Sequence, residues 1–288
     1  MARPPRTRRM AEPRFDEALA ALQAVLADPP PPLVGVGAPA LLALRPRYAV
    51  WRLDGPEGPR VLRHLFGPRA AQGVRALAEA AARLVPSMGA GPLRVAPVLG
   101  AWADRGLILW PWVEGMRLSD ALDADSAPAL HARALDWLAL CQRAGAEEGR
   151  LSPWFWLKAL PPRVTRQGGL GAAVLSRLRA QAAWLVGTPV ARAPGHGDFT
   201  SVNLILSPEA LFGIDLSPGP PRPCARDAAS YRAFQAVMHP ALPQPAPDVS
   251  PVGRFFMGEF LLRHLSHWAD HPRRGPAARD AARVWLSG

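Results

Sequence analysis

The chain has 288 residues, with 34 Lys or Arg against 23 Asp or Glu, a formal net charge of +11 and 49% hydrophobic residues. That hydrophobic share sustains a buried core and excludes the disordered and fibrous classes, and the length suits one large domain or two modest lobes. No apolar run reaches the roughly 18 residues of a membrane helix, and the basic start lacks the apolar segment of a secretory signal. Cys141 and Cys224 make neither a disulfide framework nor a paired metal site, so a cytoplasmic location with no membrane span is expected. Lys158 is the sole lysine and every other basic residue of that class is arginine, a bias that matters wherever side-chain geometry matters. The positive balance fits a nucleic-acid binder and fits equally a protein handling phosphorylated or acidic molecules.

Residues 1–13 read as a basic flexible arm. Phe15, Leu19, Leu22, Val25 and Leu26 recur at helical spacing until Pro29 to Pro32 end the helix. Tyr48 to Leu53 and Arg60 to Leu65 read as strands around the turn residues 54–59, and 69–85 as an Ala-rich helix. Val95 to Trp102 and Leu107 to Val113 read as a second hairpin, and Gly115 closes a small lobe over 14–115. In the larger lobe, 116–288, one long helical region is expected over 118–144, then a Pro-broken aromatic stretch over 151–162 and a helix over 172–186. The exception to helix is a hairpin whose strands are 202–206 and 211–216, after which helices resume. His264, His267 and His271 share a helix face; with only Asp270 as a nearby further ligand, they read as a solvated face and not a zinc site.

The polar residues of the 195–216 stretch carry the chemistry. Asp198 is followed after five residues by Asn203 and after twelve more by Asp215, which ends an apolar strand. Such a loop can gather a base and two oxygen ligands around one small volume, and hard Mg²⁺ prefers oxygen ligands with phosphate in its shell. In phosphoryl transfer an Asp accepts the attacking hydroxyl's proton while an Asn and a second Asp hold the metal. No Gly-x-Ser-x-Gly elbow occurs, so serine hydrolase chemistry has no support.

His196-Gly-Asp-Phe-Thr-Ser-Val-Asn203, then Ile214-Asp215, then Asp227-Ala-Ala229 resemble the motifs of the aminoglycoside phosphotransferase and choline kinase family. The resemblance implies a two-lobed, protein-kinase-like α+β fold: a small antiparallel-sheet lobe with one helix that binds nucleotide, and a larger, mainly helical lobe that carries catalysis and the acceptor. It implies ATP and Mg²⁺ as cofactors, Asp198 as catalytic base, Asn203 and Asp215 as metal ligands, Asp227 as a structural anchor, and His196 as a shaper of the loop. Leu107-Ile-Leu-Trp-Pro-Trp-Val-Glu-Gly115 is similar to the family's hinge, which assigns the adenine bonds to the C=O of Pro111 and the N–H of Val113. Proline costs nothing there because the donor it lacks is not used.

Two departures stand out. The family's phosphate-binding Lys is replaced by Arg63, with Glu79 on the following helix as its pairing partner; Arg keeps the charge but not the geometry. No Gly-rich phosphate loop is evident, Val34-Gly-Val-Gly37 being the nearest candidate. Residues 150–196 contain no Asp or Glu and seven basic residues, so the expected acceptor is a small neutral or anionic hydroxyl compound, sugar-like in preference to a polycationic aminoglycoside. A catalytically impaired pseudokinase acting as a nucleotide-binding or scaffold module is one alternative, and a basic nucleic-acid-associated protein the other; retention of the base and both ligands argues for the enzyme and against nucleic acid as the partner.

Overall fold

The computed structural model describes residues 15–165, 168–217 and 219–288; the expected basic arm at 1–13 lies outside them. The chain divides into two compact units, the first running to Val85 and including Ala96–Val113, the second comprising Pro86–Val95 and Glu114–Gly288. The crossing after Val113 falls two residues before the expected closing glycine.

In the first unit, α1 (Phe15–Leu26) buries Ala18 and Leu22, one helical turn apart, and a 3₁₀ turn at Pro31–Leu33 buries Leu33. The strands β1 (Ala40–Arg45), β2 (Tyr48–Gly55) and β3 (Gly58–Leu65) precede α2 (Ala70–Met88), and β4 (Leu93–Val95), β5 (Gly100–Trp102) and β6 (Leu107–Pro111) follow it. Five of them form one antiparallel sheet in the order β1-β2-β3-β6-β5. Alternation places Arg60, Leu62 and His64 on the face where Leu62 packs with Trp51, Leu53, Leu107 and Leu109 beneath α1. Ile108 faces the other way, onto Val74 and Leu77 of α2. Burying each such leucine contributes about 1.5–3 kcal/mol.

Two differences from the sequence reading concern strands. β1 was not expected: its apolar residues run on as Ala40-Leu-Leu-Ala-Leu44 without clean alternation, and its pairing with β2 is broken by an irregularity between Leu41 and Ala43. The two strands are joined by Pro46 and Arg47 alone, proline supplying the fixed φ that a tight turn needs. The expected hairpin strand starting at Val95 is split, because β4 belongs to the second unit, where it pairs in parallel with the strand Leu211–Gly213, and only β5 pairs with β6.

The second unit contains β7 (Met116–Arg117), α3 (Leu118–Ala121), α4 (Ala127–Arg143), β8 (Glu147–Arg150), α5 (Pro153–Lys158), α6 (Pro162–Thr165), α7 (Leu170–Leu185) and β9 (Pro189–Ala193). A 3₁₀ turn (Ser201–Asn203), β10 (Leu204–Leu206), β11 (Leu211–Gly213), β12 (Arg222–Pro223), α8 (Cys224–Met238), α9 (Pro251–His267) and α10 (Arg274–Ser287) complete it. The long helix expected over 118–144 is broken where Asp123 Oδ1 accepts the N–H groups of Asp125 and Ser126, an Asx turn that competes with helix. Small sheets run β4-β11-β10-β7 and β12-β9-β8. β8 and β9 escaped the sequence reading because Glu147-Glu-Gly-Arg150 and Pro189-Val-Ala-Arg-Ala193 show no apolar alternation. The helical core centres on Leu178, Ala182, Phe255, Phe256, Leu261 and Leu262, all fully or nearly fully buried.

Candidate active site

β9 leads into the loop 194–200, and the β10–β11 hairpin returns to it. Asn203 Nδ2 donates to the backbone oxygen of Asp198 at 2.8 Å and to its carboxylate Oδ2 at 3.2 Å. Ile214 N–H donates to Asn203 O at 2.9 Å, His196 Nε2 to Ile214 O at 2.8 Å, and Ser217 N–H to His196 O at 2.8 Å. These bonds tie the segment carrying Asp198 and Asn203 to both flanks of Asp215. The three residues read from spacing alone are therefore drawn to one place by backbone bonding.

Asp215 has φ 58°, the one non-glycine residue at positive φ among the described residues. Asp tolerates the left-handed region better than most side chains, yet such a conformation costs about 1 kcal/mol and persists where its surroundings enforce it. Asp198 and Asp215 are exposed, whereas Asn203 and His196 are buried.

His196 is fully buried, and burial pushes its pKa down against the opposing pull of Asp227, the Ile214 carbonyl, Asp198 and Asp215. A neutral ring donating from Nε2 to a carbonyl is an orienting group, and its Nδ1 has no partner among the described residues. Asp227, in the first turn of α8, accepts the Gly197 N–H at 3.1 Å. The same carboxylate fills the space a side chain at 195 would need: a Cβ on Gly195 would lie 2.2 Å from Asp227 Oδ2. Beneath the loop, Phe199 is fully buried between Trp137, stacked at 5.8 Å and 11°, and Tyr231 at 5.2 Å. Trp137 stands far from the motif in sequence and Tyr231 follows Asp227 by one helical turn, and no spacing signal identifies either.

The oxygen donors suit Mg²⁺. Asn203 spends its NH₂ on Asp198, which leaves Oδ1 for another partner, and Asp215 presents an exposed carboxylate. Among the described residues no group of three or more His, Cys, Asp or Glu gathers to hold a metal.

In the first unit, Trp112 N–H donates to Pro59 O at 3.0 Å on one side of β6, and Leu109 O accepts from Leu99 N–H at 2.8 Å on the other. Alternation puts the Pro111 C=O and Val113 N–H on Leu109's side, past the last residue that β5 pairs. Arg63 is half-buried, its guanidinium carbon 4.6 Å from the centre of the Tyr48 ring. Its expected partner is not brought to it. The buried face of α2 carries Val74, Leu77, Ala81 and Leu84, and Glu79 falls on the opposite side, exposed. The candidate phosphate loop is also displaced: Gly37 N–H bonds Asp54 O at 2.8 Å, so 34–37 packs beside the β2–β3 turn and precedes β1.

The basic stretch 150–196 is largely structural where it is described. Arg150 donates to Gly187 O, Arg177 to Leu286 O, and Arg192 to Pro221 O, so these guanidinium groups serve carbonyl oxygens of their own unit. The histidine face is solvated only in part: His267 is exposed and flanks the Trp268 ring with the half-buried His271, whereas burial pushes His264 down to about 4.

Sheet order, hairpin and helical unit together define a protein-kinase-like α+β fold. Solved structures of that class align over almost the whole chain. They include the aminoglycoside phosphotransferase APH(4)-Ia (16% identity, TM-score 0.58, 93% of this chain and 98% of that one). A choline/ethanolamine kinase family protein from Mesorhizobium loti aligns at 18% identity and TM-score 0.60, covering 93% and 95%. APH(2")-IIia in complex with GDP and kanamycin aligns at 13% identity and TM-score 0.61, covering 93% and 98%. At these identities the likeness is one of fold. No protein-family model and no curated relative matches the sequence.

Proposed function

We propose that the protein is a phosphotransferase that moves the γ-phosphoryl group of ATP to a hydroxyl of a small molecule, with Mg²⁺ as cofactor. The observation that supports this reading is the bonding of Asn203 to Asp198 and of Ile214 to Asn203, which links Asp198, Asn203 and the neighbour of Asp215 in one hydrogen-bonded loop pair. Asp198 accepts the proton of the acceptor hydroxyl as that oxygen attacks phosphorus. Asn203 orients the carboxylate through Oδ2, leaving Oδ1 for the hydroxyl. Asn203 and Asp215 would hold Mg²⁺, which supplies charge neutralisation to the phosphates. The Pro111 C=O and Val113 N–H are proposed to bind adenine, and Arg63 the phosphates.

The acceptor is proposed to be neutral or anionic. The support is the absence of any carboxylate across 150–196, where a polycation would need one. A second reading, a nucleotide-binding module with impaired transfer, is favoured by the separation of Glu79 from Arg63. ATP consumption measured across a library of hydroxyl compounds separates the readings. Turnover with at least one neutral or anionic acceptor supports the enzyme. Tight ATP binding with no ADP formed with any acceptor supports the second reading, and turnover confined to aminoglycosides or choline refutes the acceptor class.

A further inference from the structure

The carboxylate that anchors the catalytic loop is itself tied to a buried charge cluster in the second unit. Asp227, which accepts the Gly197 N–H, stands in the first turn of α8, and the residue before it is Arg226. Glu259 of α9 is fully buried; its Oε1 accepts from Arg226 Nη2 at 3.4 Å and its Oε2 lies 3.3 Å from Arg226 Nε, a side-on approach of the guanidinium fork. Arg263, one helical turn further along α9, donates to the same Oε1 from Nε at 2.9 Å and from Nη2 at 2.6 Å. The Arg226 guanidinium carbon also lies 4.6 Å from the centre of the Trp156 ring of α5 and 4.6 Å from that of Phe260.

Stability alone explains such a cluster poorly. The cost of taking these charges out of water offsets most of what their attraction returns, and apolar residues of similar volume commonly serve stability as well or better. What the pair adds is direction, because a fork on a carboxylate is satisfied in one orientation. That direction bears on the loop, since consecutive residues of a helix project about 100° apart. Fixing Arg226 against α9 and the Trp156 face therefore fixes the rotation of the first turn of α8, and with it the place of the Asp227 carboxylate. No side chain caps this turn, whose N-cap is Pro223, and Gln142 adds a tie by donating to Cys224 O at 2.9 Å. Asp227 has little latitude, as it bonds Gly197 N–H at 3.1 Å while packing against Gly195 too closely to admit a side chain there.

We propose that Arg226 is a positioning residue for phosphoryl transfer, locked by Glu259 so that Asp227 holds Gly197 and thereby sets the neighbouring Asp198 carboxylate. The part played by Asp198 rests on the phosphotransferase reading; the hold on Gly197 does not.

The test compares the full chain with Arg226→Met, which keeps an apolar stem beside Trp156 and Phe260 and leaves Glu259 paired with Arg263. Amide hydrogen exchange is followed by NMR at Gly197 and, as the reference for global opening, at Leu178 in the core of α7. Gly197 should exchange at least about tenfold faster in the variant, with Leu178 within about twofold of the unaltered chain. With an acceptor that the unaltered chain phosphorylates, kcat should fall at least about tenfold and the KM for ATP change by less than about twofold, the mark of a misplaced catalytic group and not of lost binding. Gly197 exchange that stays the same, or rises only in step with Leu178, would overturn the proposal by reducing the cluster to a structural one. Faster exchange at Gly197 with an unchanged kcat would overturn it too, because the hold on the loop would then not reach Asp198. If the unaltered chain turns over no acceptor, the phosphotransferase reading fails and the exchange at Gly197 decides by itself whether Arg226 holds the loop. Should Arg226→Met not fold, Arg226→Lys, which keeps a charge and loses the fork, is read at the same two amides by the same criteria.

Discussion

The loop pair 196–217 and the β3–α2 region were both read from motif positions, yet they differ in what fixes them. In the loop pair, each functional residue is held by backbone bonds or by a glycine contact that admits one arrangement: Ile214 to Asn203, Ser217 to His196, Gly197 to Asp227. In the β3–α2 region, the two expected partners lie on separate elements with nothing to bring them together. Arg63 sits over Tyr48 and Glu79 points away from the sheet. A residue pattern transfers reliably when its spacing is enforced by a local hairpin, and poorly when it depends on the rotation of a helix.

That contrast can be tested from its strongest point down. Asp215→Ala should abolish metal-dependent nucleotide binding, a loss of at least about 100-fold read by calorimetry with and without Mg²⁺. Undiminished binding would show that the loop pair holds no metal. Trp137→Ala should destabilise the chain by about 3–5 kcal/mol by removing the stacked support of Phe199, as measured by denaturant unfolding. A loss under about 1 kcal/mol would mean that the loop is held by its hydrogen bonds alone. Arg63→Ala should raise the KM for ATP about tenfold with a smaller change in kcat, the mark of a group that binds phosphate. Glu79→Gln should change neither constant by more than about twofold, since an exposed carboxylate away from its supposed partner contributes little. A tenfold loss at Glu79 would break the comparison, because it would require the pair to form during turnover.

Much of the site was legible because its chemistry is local. Asp198, Asn203 and Asp215 lie within eighteen residues, and apolar strands of readable period separate them. What escaped was non-local or unpatterned. β8 and β9 carry charged and proline residues where alternation was sought, and β4 belongs to a sheet in which its partner strand lies over a hundred residues onward. The aromatic bed of the loop depends on Trp137 and Tyr231, whose helical spacing reads as ordinary core. Glu79 was misplaced although the spacing of Val74, Leu77, Ala81 and Leu84 already put it on the outer side of α2.

The central claim is that Asp198 is the base of a phosphoryl transfer to a hydroxyl. ³¹P NMR of the protein with ATP, Mg²⁺ and a panel of hydroxyl compounds tests it most directly, with Asp198→Ala run beside the unaltered chain. A phosphomonoester resonance that grows with the unaltered chain and at least about 10²-fold more slowly with Asp198→Ala, at similar ATP affinity, is the predicted result. Equal growth with both proteins would contradict the account.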